Sequence, residues 1–114
     1  MSVKILQEMV FKEPLTVERL HLLVQLREEA MEYEGFMSGE VWIDLQAPRN
    51  VLLVSKWESL QEREVWLESE DKRVLQERLA GSLEDVGRER VFYEGLDVAR
   101  RAFARMYQEQ QEVS

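Results

Sequence analysis

The stretch GFMSGEVWIDLQAPRNVLLVSKW, residues 35–57, decides the fold of this chain. Its first part mixes polar and apolar side chains, as a half-buried strand does, whereas VLLV at 51–54 is apolar on both faces, as a central strand is. The segment QAPRN at 46–50 lies between them and is short and rich in turn-forming residues. We therefore predict an antiparallel hairpin with strands over residues 36–45 and 51–57.

A helical region follows the hairpin directly. The segment SLQE at 59–62 has the Ser-x-x-Glu pattern of a capping box, which predicts that a helix begins there. Ser69 is suited to a second cap, and apolar side chains recur at helical spacing on both sides of it. The pattern predicts a helix that bends or restarts near Ser69 and ends at residues 81–82.

Before the hairpin, the pattern predicts a strand and then a long helix. Residues 3–11 alternate loosely and carry apolar side chains on both faces, so we predict a strand that is partly buried on both sides. Thr16 suits the N-cap of a helix that we predict over residues 16–34. Gly35 is suited to the left-handed conformation that ends many helices.

After the helical region, the sequence predicts one more strand and one more helix. We interpret residues 83–87 as a loop and residues 89–96 as a fourth strand, because apolar side chains alternate again there. Asp97 then caps a last amphipathic helix with a polar tail. We divide the chain into a ferredoxin-like domain at 1–96 and a C-terminal helical extension at 97–114.

This order of elements indicates an α+β fold of the ferredoxin-like type, βαββαβ. Four strands form one antiparallel sheet, and two helices cover one of its faces. Because the first strand is apolar on both faces, the other face also needs a cover. A second copy of the same sheet is the simplest cover, so we expect a two-fold homodimer.

Composition limits the classes of partner. The chain has 23 acidic and 15 basic residues and a net charge of -8, which repels phosphate backbones and anionic lipids. We therefore expect neither nucleic acid nor a membrane as partner. It has no cysteine, which excludes disulfides and thiolate metal sites. The sequence has no signal-peptide pattern and no apolar run of about 20 residues, so we expect a cytoplasmic protein.

The central stretch resembles the antibiotic biosynthesis monooxygenase (ABM) domain of the dimeric α/β-barrel superfamily. The resemblance rests on Gly-Phe-x-x-Gly at 35–39, on Trp-Glu-Ser at 57–59 and on Trp-Leu-x-Ser at 66–69, and it covers about residues 3–95. It implies a ferredoxin-like subunit that pairs sheet to sheet into a barrel. Members of the family include cofactor-independent monooxygenases of polycyclic phenols, haem-degrading monooxygenases and many uncharacterised proteins, so the resemblance implies an activity of one of the first two kinds or leaves it open.

The haem-degrading branch of that family is defined by three catalytic residues. They are an asparagine on the first strand, a tryptophan before the Leu-x-Ser segment, and a histidine ten residues later. Trp66 matches the tryptophan, but Gln76 stands at the histidine position and Gln7 near the asparagine position. Haem binding or degradation is therefore the alternative, and a cofactor-independent reaction is the leading hypothesis.

Three residues are candidates for catalysis. Trp66 is suited to line a substrate cleft or to pack in the core. Gln7 is polar in an otherwise apolar strand face, so its amide can bind either a substrate or neighbouring backbone. His21 is the only histidine, and its imidazole suits proton transfer near neutral pH, although a lone histidine on an acidic helix is commonly a surface residue.

Substrate contacts are expected from Trp66, Tyr33, Tyr93 and Arg73. The two tyrosines can orient a phenol, or they can lie at the edge of the core. Arg73 can bind an anionic group, or it can pair with carboxylates one helical turn away. We find no spacing typical of a metal site. The sequence thus predicts an ABM-type monooxygenase of small aromatic or polycyclic compounds, with a haem protein or a non-catalytic binding module as alternatives.

Overall fold

The computed structural model describes residues 2–93 of the 114-residue chain. Seven elements follow one another in this part: β1 (Val3–Phe11), α1 (Val17–Ala30), β2 (Phe36–Ile43), β3 (Asn50–Trp57), α2 (Leu60–Leu67), α3 (Glu70–Ala80) and β4 (Leu83–Tyr93). Within these residues, none of the helices has the length and apolar character that crossing a membrane requires. The predicted α+β class is confirmed.

The four strands form one antiparallel sheet in the order β2-β3-β1-β4. This is the order of a ferredoxin-like fold, and it places β1 and β3 at the centre. The central position explains why these two strands are apolar on both faces, whereas the edge strand β4 is rich in charged residues.

One face of the sheet packs against the helices. Val3, Ile5 and Phe11 of β1 are almost fully buried on this face, and each strand neighbour in register with them points the same way. Two clusters of buried residues form the core between sheet and helices. The first contains Val3, Ile5, Ala30, Trp57 and Trp66, and the second contains Phe11, Leu23, Val51 and Leu79.

The opposite face of the sheet carries apolar side chains that none of the helices α1–α3 covers. In register on this face, Leu6 pairs with Val54 and Trp42 with Leu52. The Trp42 side chain is 59% exposed, and its indole N–H donates to Glu40 Oε2 at 2.8 Å. We call these four apolar residues the open-face patch.

The predicted caps of the helices are confirmed, but α1 is shorter than predicted. Thr16 Oγ1 accepts from Arg19 N at 3.2 Å, as an N-cap should. The helix ends at Ala30 rather than at residue 34, because the next backbone hydrogen bonds are turn-like, such as Tyr33 N to Ala30 O. Gly35 then has a φ of 91°, which confirms its predicted left-handed conformation.

The predicted interruption of the second helical region is also confirmed. Ser59 Oγ accepts from Glu62 N at 3.2 Å, and Ser69 Oγ accepts from Lys72 N at 3.2 Å. The Ser69 hydroxyl also donates to Trp66 O at 2.6 Å, so one side chain ends α2 and begins α3. The two helices can therefore take different directions across the sheet.

The prediction of a loop at residues 83–87 is wrong. This segment is the first half of β4, which runs from Leu83 to Tyr93 and pairs with β1. The pairing shifts register between Gln7 and Met9, opposite Gly87. Such a bulge breaks the alternation of the sequence, which explains why the pattern resembled a loop. Residues 94–96 of the predicted strand and the last helix lie outside the described residues.

Replacing Gly35 by alanine should destabilise the fold. A Cβ on Gly35 would lie 1.7 Å from Glu62 Oε2, and the positive φ disfavours any residue with a side chain. We expect Gly35→Ala to lower the free energy of unfolding by roughly 1–3 kcal/mol in urea denaturation.

Gly81→Ala is the matched control for this substitution. A Cβ on Gly81 has no atom within 4 Å, and its φ is −66°. The control should retain the wild-type stability to within about 1 kcal/mol. Equal stabilities of the two variants would contradict the role assigned to Gly35.

Candidate functional site: a cleft between sheet and helices

A cleft of about 160 Å³ lies between the helices and the helix-covered face of the sheet. Most of its wall is apolar, with Leu26, Leu53 and Trp66 from three different elements. Polar side chains also line it: Gln7, Arg27, Glu40, Ser55, Arg63, Lys72, Gln76 and Glu89. An apolar cavity with a few convergent polar groups is the usual form of a small-molecule site.

Trp66 contributes both to the core and to the wall of the cleft. Its side chain is only 7% exposed and belongs to the same buried cluster as Val3 and Trp57. The Tyr33 ring packs edge-on against it with 5.1 Å between ring centroids, and the Tyr33 hydroxyl donates to Asp71 Oδ2 at 2.9 Å. Tyr33 therefore packs against Trp66 on the side away from the cleft and does not line the cleft itself.

Gln7 lies where the bulge of β4 meets β1. Its side-chain N–H₂ donates to Gly87 O at 2.8 Å and to Glu8 O at 3.0 Å. These bonds satisfy carbonyl groups beside the bulge and fix the amide orientation. The side-chain carbonyl oxygen of Gln7 accepts no hydrogen bond from residues 2–93, so it can accept one from a ligand in the cleft.

Arg63, Lys72 and Glu89 form a charged group in the cleft, which we call the cationic cluster. Arg63 is 8% exposed, and its guanidinium donates to Glu89 Oε2 at 2.7 Å. Lys72 also lines the cleft, and no carboxylate of the described residues lies within ion-pair distance of its ammonium. Two cations and one carboxylate leave this cluster with a net positive charge.

The pKa values respond to this arrangement. Burial lowers the pKa of Lys72, and the positive charge of Arg63 lowers it further, while Glu89 partly offsets both effects. The hydrogen bond from Arg63 lowers the pKa of Glu89, with a smaller opposing effect from burial. Glu89 is therefore ionised at neutral pH.

The three residues of the cationic cluster were not among the site residues that the sequence predicted. Arg63 is the only basic residue between Glu58 and Asp71, and it precedes Trp66 by three positions, which places both on one helix face. This shared helix face with Trp66 is the sequence pattern that could have identified Arg63 as a site residue. Nothing local marks Glu89, because it meets Arg63 only through the pairing of β4 with β1.

Three of the predicted site residues lie away from the cleft. His21 is exposed on the outer face of α1, beside Glu28. Arg73 is exposed on α3, where it pairs with Glu70 and, at 2.6 Å, with Glu77. Tyr93 is 67% exposed at the end of β4. Of the predicted residues, Gln7 and Trp66 line the cleft, and Tyr33 contacts Trp66 without lining it.

The described residues do not fit haem as a ligand. Gln76, which stands at the position of the expected histidine, is an exposed residue at the cleft and offers no imidazole to iron. A cavity of about 160 Å³ is also far smaller than a tetrapyrrole macrocycle requires. Within residues 2–93, no group of three or more histidine and carboxylate side chains converges as a metal site would require.

Solved structures share this arrangement of elements. A conserved protein from Methanosarcina mazei superposes with a TM-score of 0.74 at 16% identity, covering 82% of this chain and 93% of the other. A protein from Bordetella bronchiseptica, provisionally assigned as an antibiotic biosynthesis monooxygenase, gives 0.73 at 14% identity, with 83% and 98% covered. SnoaB from Streptomyces nogalater, described as a cofactor-independent oxygenase, gives 0.73 at 10% identity, with 82% and 92% covered.

The chain shares its fold with solved structures that are named as antibiotic biosynthesis monooxygenases. This confirms the fold that the motifs at 35–39 and 66–69 predicted. No protein-family model matches the sequence, and a comparison with curated proteins finds no significant match. At identities of 10–16%, the likeness to these structures concerns the fold alone.

Replacing Glu89 by glutamine should change the pH dependence of stability. The folded pKa of Glu89 lies below the ordinary value of 4.5, so its charge stabilises the fold above that value. The stabilisation is lost as the pH falls through the folded pKa. We expect Glu89→Gln to cost about 1 kcal/mol at pH 7, since the side chain is 38% exposed and partly screened.

Urea denaturation between pH 7 and pH 3 measures this effect. The difference between wild type and Glu89→Gln should shrink as the pH falls through the folded pKa of Glu89, because protonation leaves both side chains uncharged. Glu28→Gln removes the same charge from the exposed face of α1 and should show little difference at any pH. A cost of Glu89→Gln that does not vary with pH would argue against the ion pair as its cause.

Proposed function

We propose that this protein is a cofactor-independent monooxygenase that oxidises a phenolic compound of one or two aromatic rings. The observation that carries the proposal is the apolar cleft with the cationic cluster in its wall. The fold shared with SnoaB, a cofactor-independent oxygenase, supports it. Each part of the cleft has a use in such a reaction.

The cleft volume supports a small substrate rather than a large polycyclic one. Pockets for drug-sized ligands span roughly 300–1,000 Å³, and an engineered apolar cavity of about 150 Å³ in another protein binds benzene. The cleft of about 160 Å³ therefore suits one or two rings. Trp66 and the aliphatic side chains around it would contact the ring faces and exclude water.

The reaction converts a phenol and dioxygen into a quinone and water. Loss of the phenolic proton gives an anion with high electron density on a ring carbon. That carbon transfers one electron to dioxygen, and the two radicals combine to form a carbon–oxygen bond. The resulting hydroperoxide loses water as its O–O bond breaks, which leaves a carbonyl group. One oxygen atom enters the product, and the other leaves in water with two hydrogens of the substrate.

The residues of the cleft would act on charge and orientation. The positive charge of Arg63 and Lys72 stabilises the substrate anion, and this lowers the free energy of forming it in an apolar cavity. The free carbonyl oxygen of Gln7 accepts a hydrogen bond from the substrate and fixes its orientation. The lowered pKa of Glu89 makes its carboxylate a weak base, so we assign the removal of the proton to water.

Oxygen uptake with 1-naphthol as the probe tests the proposal. We expect stoichiometric formation of 1,4-naphthoquinone without added metal, flavin or haem. Gln7→Leu removes the hydrogen-bond acceptor and should lower kcat/KM about tenfold. Gln25→Leu removes a glutamine that bonds Glu29 on the outer face of α1, and it should retain the wild-type rate.

Two other outcomes would favour the alternatives. Binding of 1-naphthol without oxygen uptake would favour a non-catalytic binding module. A Soret band shift on titration with haemin, with no uptake of oxygen in the presence of 1-naphthol, would favour a haem protein. Either result would remove support for the proposed reaction.

We further propose that two copies pair through the open-face patch as a homodimer. Trp42 is exposed and Leu6 and Leu52 are half-buried, so this patch leaves apolar area in contact with water, and pairing with a second copy would bury it. The helix-covered face cannot serve this role, because its apolar residues are already buried in the core of one subunit.

Trp42→Glu should weaken this dimer. The substitution places a charge beside Glu40 on the exposed patch, so that two subunits would bring four carboxylates together. We expect wild type to sediment as a dimer at micromolar concentration and Trp42→Glu to sediment as a folded monomer. Val65→Glu adds the same charge at an exposed apolar site on α2 and should remain dimeric. A monomeric wild type would overturn the proposed pairing.

A further inference from the structure

The cationic cluster has more positive charge than its own carboxylate neutralises. Arg63 and Lys72 come from different helices, α2 and α3, and both line the same cleft. Two carboxylates of the described residues line the cleft: Glu89 is hydrogen-bonded to Arg63, whereas Glu40 accepts from the indole N–H of Trp42. If the cluster only stabilised the fold, one cation would be enough to pair with Glu89, and the second cation would not be needed.

The unused hydrogen-bond donors of the cluster are available to a ligand. A guanidinium carries five N–H donors, and within residues 2–93 that of Arg63 forms its one hydrogen bond with Glu89. Among the described residues, the one fully buried polar side-chain atom without a partner is Glu62 Oε2, so the remaining nitrogens of Arg63 and Lys72 retain some accessible surface. Since both side chains line the cleft, an anion inside it can reach these donors.

We propose that the cleft selects aromatic acids, with the carboxylate of the ligand bound by Arg63 and Lys72. Planar carboxylates accept paired hydrogen bonds from a guanidinium, and an ammonium adds a point charge. The aromatic ring then occupies the apolar part of the cleft beside Trp66. The substrate of the proposed oxygenase is then a hydroxylated aromatic acid. The reaction that follows binding rests on the proposed function, whereas the binding of the acid does not.

The net charge of the whole chain is consistent with an anion site that is confined to the cleft. The net charge of -8 repels anions from most of the surface, so binding at the cleft requires a local excess of positive charge. The lowered pKa of Lys72 shows that its ammonium is partly withdrawn from water without full compensation. A bound carboxylate would compensate it.

Binding of 2-naphthoate and of its neutral analogue 2-naphthamide tests the proposal. Isothermal titration calorimetry should show that the full-length chain binds the acid about tenfold more tightly than the amide, since charge-assisted hydrogen bonds are stronger than neutral ones. Lys72→Met should reduce this ratio to about threefold or less. Lys72→Arg should largely retain it.

Lys12→Met is the control for the change in net charge. Lys12 is an exposed residue at the end of β1 and does not line the cleft, so the variant should retain the wild-type ratio. Thermal unfolding of each variant checks that it is folded. An acid-to-amide ratio near one in wild type, a ratio unchanged in Lys72→Met, or no binding of either probe would overturn the proposal.

Oxygen uptake with 1-hydroxy-2-naphthoate and with 1-naphthol separates this inference from the proposed function. If the acid binds preferentially but neither compound causes oxygen uptake, the proposed anion site is supported and the proposed oxygenase activity is contradicted. A higher kcat/KM for 1-naphthol than for the hydroxy acid would retain the oxygenase and reject selection of the carboxylate.

Discussion

The structure depends on two central strands that are apolar on both faces. β1 and β3 lie side by side in the middle of the sheet, and their side chains alternate between a face under the helices and a face without them. The helices bury the first set, including Val3 and Trp57, in a single core. The same alternation places Leu6 and Leu52 on the other face, where both are only half-buried, so burying one side of the sheet creates an apolar surface on the other.

The cleft exists because the second helical region is broken. Ser69 ends α2 through its bond to Trp66 O and begins α3 through its bond from Lys72 N. A continuous helix would present one straight stripe to the sheet. Two shorter helices instead direct Arg63 and Trp66 from one and Lys72 from the other towards the same cavity. Through these two capping hydrogen bonds, Ser69 therefore affects which side chains line the cleft.

The sequence predicted what local patterns control. The hairpin, the caps at Thr16, Ser59 and Ser69, and the left-handed Gly35 all depend on neighbouring residues, and all were confirmed. The start of β4 was missed because the bulge at Gly87 is defined by its partner strand. Gln7 and Trp66 could be identified by polarity and by motif. Arg63 and Glu89 are 26 positions apart, and in a chain with 33% charged residues nothing marks that pair among many others.

The cationic cluster differs in kind from the other charged groups of the protein. Arg73 has two carboxylates within one helical turn and lies in water, where its ion pairs contribute little to stability. Lys72 has no such partner in residues 2–93 and is partly buried, so its charge costs stability in the unliganded protein. Uncompensated charge in a cavity is a common property of binding and catalytic sites, because the ligand supplies the missing charge. The same feature that destabilises the empty cleft therefore provides its selectivity.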